Sequence, residues 1–220
     1  MSYGYKKGYN PQKYAENRKA EKERTYEMID DTAIEVSRSP DKLREFLDVQ
    51  EKFDMYSAAN TLLIFKQMPN AAQLKSFEDW NKDGVQVRQK QKSIAILEPV
   101  EYTNSDGTPG LGYNVKRVFD RSQTNSKREA VQKTEDLKHT LKNFVNASPV
   151  EIVVGEMPNS NLGAFYNFET QQIILNKNLT DTKQIFECLV QEVAFAQLAD
   201  CKKSYSRRDE GFKAVCLAYM

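Results

Sequence analysis

The hydrophobic and polar positions change period twice along the chain. From residue 12 to about 36, strong helix formers of mixed charge predict one long helix. Ser39 before Pro40 places an N-cap and a first-turn proline at the start of a second helix. "YSAANTLLIFKQMP" predicts a third helix, capped by Ser57 and stopped before Pro69. "SFEDWNKDG" predicts a short fourth, ending at Gly84 as its C′ residue. Alternation then replaces the helical period. "VQVRQKQKSIAILEPVEYT" reads as two strands around a Lys/Gln turn, with Ile94, Ile96, Val100 and Tyr102 expected to face a core. "NSDGTPGLG" reads as a loop or hairpin tip. "YNVKRVFD" reads as a further strand with Tyr113, Val115, Arg117 and Phe119 on one face.

After a polar stretch the helical period returns. Leu137, Leu141, Phe144 and Val145 share one face of a helix, and His139 falls on its polar side. "VEIVVGEM" is a strand, and "GAFYNFETQQIILNKNL" a hairpin turning at Glu169-Thr170. Helices follow over about 181–200 and 207–220. The order of elements makes this an α+β chain of two domains. The boundaries expected are an N-terminal tail and helical arm over 1–36, a first domain over 37–124, a linker over 125–133, and a second domain over 134–220. Because the chain stops inside an apolar helix, the sequence is expected to be part of a longer protein.

Composition narrows the chemistry. With 220 residues and 40% hydrophobic content, two small cores are affordable. No apolar run approaches the ~18–20 residues of a membrane span, and the N-terminus lacks a signal peptide's apolar stretch. A cytoplasmic protein is expected. Cys188, Cys201 and Cys216 form no CxxC pair and read as reduced thiols, with Cys188 and Cys216 in apolar, buried surroundings. One histidine in the whole chain excludes any mechanism that needs two. A net charge of +1 means that any nucleic-acid surface must come from local asymmetry.

One helix poses a question of its own. "FECLVQEVAFAQLAD" has Glu192 at its middle, flanked by Gln191 and Phe195 one turn apart. That is the spacing of His-Glu-x-x-His with both imidazoles replaced. Glutamine is a poor zinc ligand and phenylalanine is none.

Two blocks carry a resemblance. Tyr56, Ser57, Asn60, Gln67, Pro69, Trp80, Gly84, Val87, Lys90 and Lys92 occur in order, followed by "VFD" at 118–120 and Ser122, Gln123 and Thr124. This set resembles the N-terminal domain of ArdC-type antirestriction proteins and their LtrC-like relatives on conjugative elements of Gram-positive bacteria. The C-terminal half resembles the zincin-like metallopeptidase domain that continues that family. "YNFETQQIILNKNL" precedes the helix at the family's distance.

The resemblance implies single-stranded DNA binding by the first domain. The residues that suit it are Tyr56, Asn60, Lys66, Trp80, Lys82, Arg88, Lys90, Lys92 and Arg117, cations beside aromatic faces. Trp80 reads more readily as a core residue than as a stacking platform, and the lysine turn reads also as a solvated hairpin. The resemblance also implies a degenerate peptidase site at Gln191, Glu192 and Phe195, with Val215 at the third ligand position and Glu210 nearby. With those ligands lost, no metal, no cofactor and no peptidase activity are expected. The implied function is single-stranded DNA binding in a mobile element, with an inactive peptidase-like domain. The alternative is a protein-interaction module whose metal-free cleft receives a polypeptide. The two separate on charge: Arg88, Lys90, Lys92 and Arg117 either form one positive face or are neutralised by acids.

Overall fold

A computed structural model describes residues 10–104, 106–126, 136–157, 159, 161–200 and 205–220. The chain divides into two units, Met1–Arg128 and Glu129–Met220. Residues 127–133 of the expected linker, and Cys201, lie outside the described residues.

In the first unit, α1 (Pro11–Ser37) opens on Asn10, whose side chain accepts from the amides of Gln12 and Lys13. It packs on α2 (Pro40–Lys52) and α3 (Ala58–Gln67), burying Thr25, Thr32 and Val36. The buried threonines return their hydroxyls to the helix, Thr25 to Glu21 O at 2.8 Å and Thr32 to Met28 O at 2.6 Å. The helix expected as a separate arm is therefore part of this unit's packing. Ser39 and Ser57 cap α2 and α3 as the sequence suggests.

The sheet is β1 (Leu74–Lys75), β3 (Pro109–Asp120) and β2 (Ile94–Thr103), antiparallel in that order, with α4 (Phe77–Lys82) between β1 and β2 in sequence. Ile94, Ile96 and Val118 join Val36, Val49, Phe53, Ile64, Phe65 and Ala71 in one core. The free edge of β2 is not left open. Asn60 from α3 accepts from Leu97 N at 2.7 Å and donates to Leu97 O at 2.9 Å. One helical stretch later Gln67 does the same to Ala95, both at 2.9 Å. Two amide side chains thus stand in for a neighbouring strand.

Several expectations change here. No strand forms over residues 85–93; a single bridge joins Val87 to Thr124. β3 begins at Pro109, so the β2–β3 hairpin extends past its core. Val100 and Tyr102 are exposed for that reason, not core-facing. On β3 the inward residues are Val118 and Asp120, and Tyr113 and Arg117 are exposed.

The second unit stacks α5 (Leu137–Asn146), α6 (Thr182–Asp200) and α7 (Arg207–Tyr219) with a sheet of order β4-β6-β5. β4 (Glu151–Gly155) runs parallel to β6 (Gln172–Asn176), and β5 (Ala164–Asn167) antiparallel to it. Tyr166, Ile173, Leu189, Val193, Phe195 and Ala214 are buried in its core. Leu137 and Val145 are partly exposed, and Leu141 and Phe144 carry the packing of α5. Cys188 and Cys216 are half-buried free thiols, and burial raises the pKa of each. Among the described residues, no helix is long and apolar enough to cross a membrane.

Candidate functional site

In the first unit the nine residues proposed from sequence do not form one surface. Trp80 is 3% exposed, and its indole Nε1 donates to Phe119 O at 2.9 Å. Its faces are packed, so the reading of Trp80 as a stacking platform is corrected to a core role. Asn60 is likewise corrected: its amide is spent on the backbone of Leu97. Three cations are already paired. Lys66 meets Glu35 at 2.7 Å, Lys82 meets Asp79 at 2.7 Å, and Arg117 bonds Glu21 of α1. The hydrogen bond to Asp79 is the main cause of the raised Lys82 pKa.

Arg88, Lys90 and Lys92 differ. All three are exposed, and among the described residues no carboxylate lies within ion-pair distance of them. Their segment is held firmly from one side. Arg88 N donates to Gln123 O at 2.9 Å, its guanidinium donates to Ser122 O, and Gln123 Nε2 donates to Lys92 O at 2.7 Å. Asn125 and Gln86 add a further pair of bonds. Lys90 sits at the apex with φ 63°, in the left-handed region that glycine prefers.

Tyr56 is half-buried, touches Phe53 edge-on at 5.7 Å, and has its pKa raised by burial. It borders a cavity of about 400 Å3 with Lys75, Ser76, Asp79, Lys82 and Lys116. Each lysine there has an acid: Lys75 pairs with Asp83 and Lys116 with Glu98, both at 2.5 Å. The cavity is polar but balanced in charge.

In the second unit Glu192 is 4% exposed, and both oxygens of its carboxylate accept hydrogen bonds. Oε2 accepts from Tyr166 N of β5 at 2.7 Å and from Arg207 Nη1 at 2.7 Å, and Oε1 accepts from Arg207 Nη2 at 2.5 Å. The two-point fork with arginine is the strong form of this pair. Its bond to Glu192 is the main cause of the raised Arg207 pKa. The guanidinium carbon lies 4.0 Å from the centre of the Phe195 ring and 5.5 Å from that of Phe165. Phe195 is 3% exposed. Tyr205 stacks on Phe168 at 5.1 Å and meets Tyr166 edge-on at 5.9 Å.

The sequence expectation for the third ligand position is corrected. Val215 is 53% exposed, whereas Glu210 and Ala214 form the buried face of α7. Arg207 was missed by the pattern of the sequence. One signal was available: Ser206 caps α7 and puts Arg207 at its first position, where a cation opposes the helix dipole. A cation placed there needs another partner.

Neither a family model nor a curated protein matches the sequence. The fold does have a solved counterpart. The chain superposes on the Mn(II)-bound ArdC antirestriction protein of plasmid R388 with a TM-score of 0.50 and 17% identity. The match covers 74% of this chain and 65% of that one, so this chain spans less than two thirds of its counterpart. The metal-free structure of the same protein gives a TM-score of 0.41 at 16% identity, over 63% and 54% of the two chains. The first of these likenesses shows that the α+β fold is of the ArdC type.

Proposed function

We propose that this chain is a single-stranded DNA-binding protein of the antirestriction type, working in the cytoplasm for a conjugative mobile element. In this reading its second unit is a zincin-like domain without peptidase activity. The observation that carries the DNA reading is the turn bearing Arg88, Lys90 and Lys92. Three exposed cations without acidic partners among the described residues stand on a segment fixed by five hydrogen bonds to residues 122–125. A phosphate backbone would find them oriented and unneutralised. Tyr56 is the aromatic group left for a base to meet; Lys66, Lys82 and Arg117 contribute only where phosphate displaces their carboxylates.

The inactivity of the second unit follows from its donors. Gln191 and Phe195 supply no imidazole, and the carboxylate of Glu192 is bound to an arginine and a backbone amide. A base so engaged, without metal ligands beside it to hold and activate a water, lacks what a zincin reaction requires. The polypeptide-cleft alternative loses support on the same ground, because Arg207 takes the space beside Glu192.

The test is a fluorescence-anisotropy titration with a labelled single strand at low salt. Replacing Arg88, Lys90 and Lys92 together with Glu should weaken binding strongly. Losing three phosphate contacts should also lower the log–log salt slope by about 2. The melting temperature should move little: Arg88→Glu gives up the guanidinium bond to Ser122 O, while the other four bonds use backbone atoms of residues 86–92 and remain. Equal affinity for parent and variant would remove the turn from the reading, and no binding by the parent would remove DNA.

A further inference from the structure

The resemblance in the second unit implies a metal ion between residues 191 and 195, and the residues present do not fit one. An amide and a phenyl ring occupy the two ligand positions. Among the described residues no three His, Cys, Asp or Glu side chains converge as a metal would need. Glu210, buried on α7, pairs with Lys213 at 3.1 Å. Next to Glu192 stands a fixed cation of another kind.

We propose that the cluster of Glu192, Phe195 and Phe165 is a guanidinium-binding site whose resident ligand is Arg207 of the same chain, and that it takes guanidinium groups in preference to divalent ions. This rests on the reading of the second unit as inactive. Glu192 offers two oxygens in one plane, which the guanidinium fork matches with two bonds of 2.7 and 2.5 Å. The rings of Phe195 and Phe165 offer their electron-rich faces to the same group at 4.0 and 5.5 Å. A flat, delocalised, weakly hydrated cation suits a carboxylate with aromatic walls. A small, strongly hydrated ion does not, since a ring gives it no lone pair. The site also explains how three elements stay together: Glu192 on α6 binds Tyr166 N on β5 and Arg207 on α7. One guanidinium therefore ties down the elements that a bound ion would otherwise hold.

Chemical complementation tests the site on the full chain. Arg207→Ala opens the cage and should lower the melting temperature. Methylguanidinium at about 10 mM, far below the molar range in which guanidinium denatures, should raise it again with a saturable dose dependence. Methylammonium, of equal charge, should do little, and Glu192→Gln in the same background should abolish the recovery. Should the Ala variant fold poorly, the same comparison is read as refolding yield by circular dichroism. Equal effects of the two cations, or none from either, would overturn the guanidinium site. So would stoichiometric Mn(II) or Zn(II) on the parent chain by elemental analysis. Metal-dependent casein hydrolysis by the parent would instead overturn the inactive reading beneath it, so the two failures are distinguishable.

Discussion

In the first unit Lys66, Lys82 and Arg117 meet their acids at the surface, with side chains 46%, 75% and 48% exposed. In the second unit Arg207 meets an acid that is 5% exposed. The chemistry of the pairs is the same, and the setting decides what each can do. Surface pairs lie in high dielectric, contribute little to stability, and exchange partners with any anion that arrives. The pair at Glu192 has a desolvated member, so removing its partner leaves a buried charge without its counter-ion. Ligand exchange is therefore expected in the first unit, and structural commitment in the second.

The largest effect should come from the committed pair. Arg207→Ala should cost about 3–5 kcal/mol, because Glu192 stays buried with only the Tyr166 amide to face. Glu192→Ala should cost less, since Arg207 is 36% exposed on its side chain and can turn towards water. Chemical denaturation of both variants checks the order, and the reverse order would break the contrast between the units.

Trp80→Ala should be about as damaging, roughly 3–5 kcal/mol for a large side chain removed from a core, with the bond to Phe119 O lost as well. DNA affinity measured while the variant is still folded should be unchanged. A loss of affinity at full stability would return Trp80 to the binding surface.

Asp120 gives a smaller effect with a pH signature. It is fully buried; Oδ1 accepts from Ala72 N at 2.7 Å and Gln73 N at 3.0 Å, and Oδ2 from Ser122 N at 2.7 Å. Burial works to raise its pKa, and the bonds from Ser122, Gln73 and Ala72 outweigh it, leaving the pKa lowered. A carboxyl whose folded pKa is depressed stabilises above its unfolded value of about 3.9. That stabilisation is lost as pH falls through the folded value. Asp120→Asn should cost about 1–3 kcal/mol at neutral pH, from amides left without a full acceptor. It should also flatten the acid limb of the first unit's stability curve. An unchanged acid limb would assign that limb to other carboxylates.

These residues show what the sequence could reveal. The ordered set behind the family resemblance includes Asn60, Gln67, Trp80, Asp120, Gln123 and Thr124. In the structure they are mainly anchors of backbone: Asn60 on Leu97, Gln67 on Ala95, Trp80 on Phe119, and Asp120 on residues 72, 73 and 122. Such residues mark a fold, and the fold was legible through them. They say little about the face that meets a ligand, which is why Asn60 was misassigned as a contact and why Trp80, for which core packing was the stronger reading, could still be named as one. Helix starts at Ser39, Ser57 and Ser76 were legible because capping is a local bond. The strand expected before the Lys/Gln turn did not form, because that segment is satisfied by residues 122–125, more than thirty positions away. Arg207 is hidden for the same reason: it meets Glu192 fifteen residues earlier, at no helical or strand period.

The smallest expected effect separates binding from stability at a single position. Lys90 holds φ 63°, a conformation that is strained by roughly 1 kcal/mol for a residue with a Cβ. Lys90→Gly removes that strain but loosens the unfolded chain, an opposing effect of about 0.4–1 kcal/mol. The net change should lie between zero and about 0.6 kcal/mol of added stability. The same substitution removes one of three cations from the exposed turn, so the salt slope of DNA binding should fall by about 0.7. Lys90→Asn, a polar residue that tolerates the left-handed region, should lose the same increment of slope without the entropy term. A turn that served only to connect would give the stability change alone. Affinity falling while the melting temperature holds or rises is the outcome expected of a ligand-facing cation kept in a strained position, and it is read from two measurements on one variant.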